Sequence, residues 1–132
     1  MVFSATAVLR EGVRLGRTVL MVRGGACFET SVQFYRQGLG WKLVRATEGE
    51  YAEFEVDSGH KFMLTVAKNE AQLSTGYSPL LSFDVYDMDS TVAKCAQLGA
   101  HLDGPIQYPA HGKVAALRTP DGHMIGLYEP AI

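Results

Sequence analysis

Long apolar runs are missing from this sequence, and so is any surplus of charge of one sign. No stretch approaches the ~20 apolar residues that a membrane-spanning helix needs. Twelve Lys and Arg stand against fourteen Asp and Glu, a net charge of −2, and the isoelectric point is near 6.0. That balance removes the electrostatic basis for binding nucleic acid or an anionic membrane surface. Cysteine is scarce: only Cys27 and Cys95, with no metal-ligand spacing between them. Two thiols do not make a disulfide framework, so a reducing, cytoplasmic setting is expected. Also lacking are a Ser-His-Asp set, a glycine-rich phosphate loop and interleaved basic and aromatic residues.

What is present is a repeat. Residues 17–23 (RTVLMVR) read as a strand, and 28–37 (FETSVQFYRQ) as a helix with its stop at Gly38. Three strand patterns follow, in LGWKLVRA, EYAEFEV and, after Asp57-Ser58-Gly59, HKFMLTV. The order then recurs. LLSFDVY is a strand, Asp87 caps a helix bearing Met88, Val92, Cys95 and Ala96 on one face, and Gly99 closes it. KVAALRT and HMIGLYE are strands around the Pro120-Asp121-Gly122 turn. Val22 and Val85 lie 63 residues apart, as do His60 and His123, and Leu39-Gly40 precedes Leu98-Gly99 by 59. The spacing predicts two β-α-β-β-β modules, residues 17–67 and 80–130, within one domain spanning 17–132. Residues 1–16 are expected to add an N-terminal strand or hairpin turning at Glu11-Gly12, with an organelle import segment as the alternative.

The stretches FYRQGLGWKLV, YAEFEVDSGHKFMLTV, FDVYDMDSTVAKCAQLGA and RTPDGHMIGLYEP resemble the vicinal oxygen chelate superfamily. That superfamily holds glyoxalase I, extradiol dioxygenases and bleomycin-resistance proteins. The resemblance implies an α+β fold: two β-α-β-β-β modules forming an open eight-stranded mixed barrel around a cavity. It also implies that a metalloenzyme of this type would draw ligands from the first and last strands of each module. Those positions are held here by Arg17, Met63, Leu80 and Gly126. A guanidinium donates only, a thioether is soft, and leucine and glycine offer no ligand atom. No His, Asp, Glu or Cys lies within two residues of any of the four. The expectation is a protein without metal or cofactor.

Strand alternation assigns faces. Thr18, Leu20 and Val22, then Leu81, Phe83 and Val85, then Phe62, Leu64, Ile125 and Leu127 form apolar sets expected beneath the helices. The opposite faces carry Arg17 and Met21, Tyr51 and Glu53, Met63, Ser82 and Asp84, and Met124, Gly126 and Tyr128. With His111 on the loop Tyr108–Lys113, these are the candidate ligand-binding residues, and Gly126 would deepen the cavity they line. An Arg17–Glu53 ion pair and core-filling methionines are the alternative reading of the same residues. His60 and His123 are expected to be exposed or satisfied locally, Tyr35 and Trp41 to be packing residues, and both cysteines to be buried.

Three functions fit. The first is a metal-free homodimer, like the bleomycin-resistance branch, binding an apolar or aromatic small molecule. The second is a metal-dependent enzyme, lactoylglutathione lyase-like or dioxygenase-like, recruiting Glu53, Glu55, Asp84 or His111 as ligands. The third is a structural or interaction module without ligand. No catalytic residue is assigned, and neither nucleic acid nor membrane is an expected partner.

Overall fold

Each half of the chain folds the same way: one strand, a helix, then three strands that bring the last back beside the first. A computed structural model describes residues 16–56, 59–73, 76 and 79–131. In the first half, β1 (Thr18–Val22) leads to α1 (Ala26–Gln33), which runs on through a wider π-helical turn over Phe34–Gly38. Strands β2 (Lys42–Thr47), β3 (Tyr51–Glu55) and β4 (Lys61–Val66) follow. In the second half come β5 (Leu81–Asp84), α2 (Met88–Gln97), β6 (His101–Leu102), β7 (Gly112–Arg118) and β8 (Met124–Pro130). The strands form two four-stranded sheets, ordered β1-β4-β3-β2 and β5-β8-β7-β6. Only β1–β4 and β5–β8 pair in parallel. The sheets do not close on one another, so the α+β fold is an open barrel of mixed strands.

Local chemistry explains most boundaries. The Asp87 carboxylate accepts from the Ser90 backbone N–H at 3.2 Å and caps α2, satisfying one of the donors a helix start leaves open. Gly112 opens β7 at φ 155°, where an added Cβ would run into the Glu129 carbonyl of the neighbouring strand. Only glycine allows β7 and β8 to approach so closely. Gly38 is the last residue of the π turn, so the helix ends where its position suggests, and the chain leaves through Leu39. The two-residue β6 carries no alternation to read and has no counterpart among the sequence patterns. The predicted extension over residues 1–16 lies, apart from Gly16, outside the described residues.

The core sits where the helices and the apolar strand faces meet. Leu20, Val22, Phe62, Leu64, Ile125 and Leu127 are all buried, with Leu81, Phe83 and Val85 packed against them. Trp41 stacks on Tyr35 at 4.6 Å and on Phe62 at 4.2 Å, and meets Phe83 of the second sheet at 5.7 Å. These rings join the modules: a buried aromatic of this size contributes about 1.5–3 kcal/mol by burial alone, and offset ring pairs add to it. Cys95 is buried, but Cys27 is exposed on the first turn of α1, because no apolar stripe passes through that position.

Candidate functional site

Strand register sorts the expected ligand residues into two groups. In the first sheet, Val19, Met63, Glu53 and Arg45 form one row across four strands, and Met21, Thr65, Tyr51 and Thr47 form the next. Glu53 takes its partner from the adjacent strand: Arg45 Nε lies 3.1 Å from its carboxylate. The pairing is therefore Arg45–Glu53, not Arg17–Glu53. Arg17 stands exposed just before β1.

In the second sheet the rows are Ser82, Gly126 and Ala116, then Asp84, Tyr128 and Val114. Tyr128 donates its hydroxyl proton to the His111 carbonyl at 2.9 Å, and the two rings lie 5.6 Å apart. The concave side of this sheet holds a cleft of about 330 Å³ lined by Leu80, Ser82, Gln107, Val114, Gly126 and Tyr128. All of its lining residues come from the second module. Alternation fixes which residues share a face, but not which faces meet.

Gly126 lines the cleft. It is buried, and an added Cβ would sit 3.4 Å from Ser82 Oγ and 3.6 Å from Leu80 Cδ2. Both are ordinary contact distances. Met124, expected on the same face, is buried at 3% exposure where β8 meets β1. There it joins Met21 in lining a second cleft of about 260 Å³, between the modules.

A polar cluster that the sequence marks only as a turn lies beside this second cleft. Asp121, in the Pro-Asp-Gly turn, has a side chain only 3% exposed. Its Oδ1 accepts from the Tyr35 hydroxyl at 3.2 Å, from the Thr119 hydroxyl, and pairs with His123 Nδ1 at 2.6 Å. Burial alone would raise the Asp121 carboxyl, but the bonds from His123 and Thr119, the His123 charge and the Tyr35 bond outweigh it and hold it below the ordinary range. Burial, then the Asp121 charge, pushes the Tyr35 phenol well above its usual value. Asp121 Oδ2 is buried without a partner among the described residues. His123 is thus satisfied locally, as expected, whereas His60 reaches back to β1, where its Nε2 lies 3.0 Å from Thr18 Oγ1. The one hint in the sequence was the 63-residue spacing of the two histidines.

A wider groove of about 640 Å³, floored by Trp41, Phe83 and Leu127 and rimmed by Lys42, Lys94 and the fully exposed Tyr86, opens on the helix side. Its lining includes Asp84, a candidate for both ligand and metal, and Glu55, a candidate metal ligand.

The residues do not fit the metal chemistry that the resemblance implies. Arg17, Met63, Leu80 and Gly126 supply no borderline or hard donor set. Nor do the substitutes converge as a set: Glu55 and Asp84 both line the groove on the helix side, but Glu53 lies elsewhere on the first sheet and His111 on a loop. Among the described residues no three of His, Cys, Asp and Glu come together as a metal-holding group.

Two repeated modules with open concave faces define a class, and sequence agrees with it. The chain belongs to the Glyoxalase/Bleomycin resistance protein/Dioxygenase superfamily, whose sequence model matches residues 17–127. No curated protein matches the chain. Solved structures share the fold. A glyoxalase/bleomycin resistance protein/dioxygenase family enzyme from Burkholderia phytofirmans PsJN is 16% identical, with 90% of this chain and 100% of that one covered and a TM-score of 0.73. A glyoxalase-related enzyme from Fulvimarina pelagi is 22% identical, covering 85% and 86% at 0.67. The genomically encoded fosfomycin resistance protein FosX from Listeria monocytogenes is 13% identical, covering 91% and 95% at 0.70. No described helix is long and apolar enough to cross a membrane.

Proposed function

We propose that this superfamily member binds an apolar or aromatic small molecule on its concave faces without a metal. The observation that carries this reading is the row Ser82, Gly126 and Ala116, which holds no carboxylate, imidazole or thiolate and, with Leu80 beside it, leaves a mixed surface. Tyr128 and Gln107 offer polar groups, and Leu80 and Val114 offer apolar ones, which is the usual make-up of a small-molecule site.

A second copy of the chain completes the site in this proposal. Val19, Leu80 and Val114, all on the concave faces, are 43%, 51% and 36% exposed, and pairing two copies about a twofold axis covers such faces economically.

The test is a thermal-shift screen of protein purified without chelators against aromatic compounds and antibiotics, with its mass in solution measured alongside. Fosfomycin joins the panel because a structural relative is a fosfomycin resistance protein. A bound compound at a hundred times its Kd stabilises by about 2.7 kcal/mol, a rise of several degrees. No stabilising compound and a monomeric mass would remove the proposal. About one tightly held metal per chain would return the lyase or dioxygenase reading.

A further inference from the structure

The cleft between the modules shares Val19 and Met21 with the concave rows of the first sheet and takes Leu81, His123, Met124 and Ile125 from the second module. Most of its wall is apolar, with Met21, Leu81 and Met124 among the contributors, and Thr18, Gln72 and His123 supply polar groups. At about 260 Å³ it falls below the range for drug-sized ligands and suits a molecule of about one ring.

His123 is held in this cleft as a hydrogen-bonding group of defined direction. Asp121 is itself fixed by Tyr35 and Thr119 and pins Nδ1 at 2.6 Å. An ionised carboxylate only accepts, so Nδ1 carries the proton of the pair, and the tautomer that this pairing selects leaves Nε2 as the acceptor. The His123 side chain remains 19% exposed. Its Nε2 has no partner among the described residues, yet it is not one of their buried orphan atoms; that description applies to Asp121 Oδ2. The Thr18 hydroxyl, held by His60 at 3.0 Å, stands in the same cleft as a second oriented polar group. Burying an aspartate to orient an imidazole costs desolvation that packing alone would not require.

We propose that the inter-module cleft binds a small, mainly apolar molecule carrying one weakly acidic hydroxyl, of the phenol or enol class, with His123 Nε2 accepting the hydrogen bond from that hydroxyl.

The experiment uses the full chain labelled with 13C at the methionine methyls and 15N at the histidine rings. The probes are 4-fluorophenol and 4-fluorotoluene, which match in size and differ in the hydroxyl. With 4-fluorophenol, the Met124 methyl and His123 Nε2 resonances move together, while 4-fluorotoluene leaves Nε2 unmoved. In His123→Asn, whose amide still donates to Asp121, the phenol-to-toluene affinity ratio falls about tenfold, the worth of one hydrogen bond to an oriented acceptor. The nitrogen readout on the unsubstituted protein decides the matter if that variant fails to fold. The proposal is overturned if Nε2 stays fixed with 4-fluorophenol or moves equally with both probes. It is also overturned if only Met63, on the first concave face, responds; that result would leave the concave-face reading standing.

Discussion

The Tyr35 hydroxyl, on the π turn that continues α1, and the Asp121 carboxylate in the last turn, 86 residues apart in sequence, meet at 3.2 Å. The first module's helix is thereby tied to the second module's final hairpin through a buried carboxylate. Tyr35→Phe removes the donor and preserves the ring stack on Trp41. A hydrogen bond to a charged group is worth about 1.5–3 kcal/mol, and urea unfolding of this variant is expected to show a loss in that range with an unchanged m-value.

Asp121 also sets an acid limb of stability. Its folded carboxyl titrates below the ordinary range, so its contribution is complete above the unfolded-state value of about 4 and is lost as pH falls through the lower, folded value. Unfolding free energies measured between about pH 6 and 2 should fall along this limb. The slope should flatten in Asp121→Asn, even though that variant starts from a lower plateau.

The alkaline limb has the opposite sign. Burial raises the Cys95 thiol to about 11, partly offset by the Lys94 charge, and lifts the Tyr35 phenol well above its usual value. Both groups stay protonated in the folded chain after the unfolded chain has released its protons. Stability is therefore intact below the ordinary thiol value of 9.0 and declines as pH rises through about 11. Cys95→Ala should lessen the decline between those values in a thermal-melt series.

Trp41 is the single tryptophan, 5% exposed, and touches rings of both modules. Trp41→Ala is expected to cost about 3–5 kcal/mol. In the unsubstituted protein, its emission should shift to the red in one step with loss of helical circular dichroism, since the same stack joins the two halves. Two separated transitions would contradict that coupling.

Two glycines should respond oppositely to the same substitution. At Gly126 an added methyl meets Ser82 and Leu80 at ordinary contact distance, so Gly126→Ala should be neutral or stabilising by about 0.4–1 kcal/mol. At Gly112 the methyl collides with the backbone of Glu129 and Pro130, and Gly112→Ala should cost more than the strandwise entropy gain returns, with a melting point lower by several degrees.

The module architecture was legible because two signals reinforce each other: period-2 alternation, and a spacing of 63 that recurs at Val22/Val85 and His60/His123. The apolar faces of β1, β4, β5 and β8 were equally legible, since alternation directly encodes a side of a sheet. What alternation does not encode is the relation between sheets. Ser82 and Met63 were expected to share a cavity; the register places them on different sheets. Met124 has the parity of a concave residue but is buried at the seam, where strand order overrides parity. Asp121 looked like an ordinary turn residue; its role depends on Tyr35, and only the folded chain brings that hydroxyl within reach.

Because β8 lies between β5 and β7, the second sheet has its keystone at the far end of its own sequence. During synthesis β5 has no strand to pair with until Met124–Pro130 has left the ribosome. The first sheet has no such wait beyond Val66, where β4 is complete. The two halves are alike in plan but unequal in timing: the first can assemble while the second is still being made. A chain cut before Met124 would lose the central strand of its second sheet, leaving β5 and β7 each without the neighbour they share.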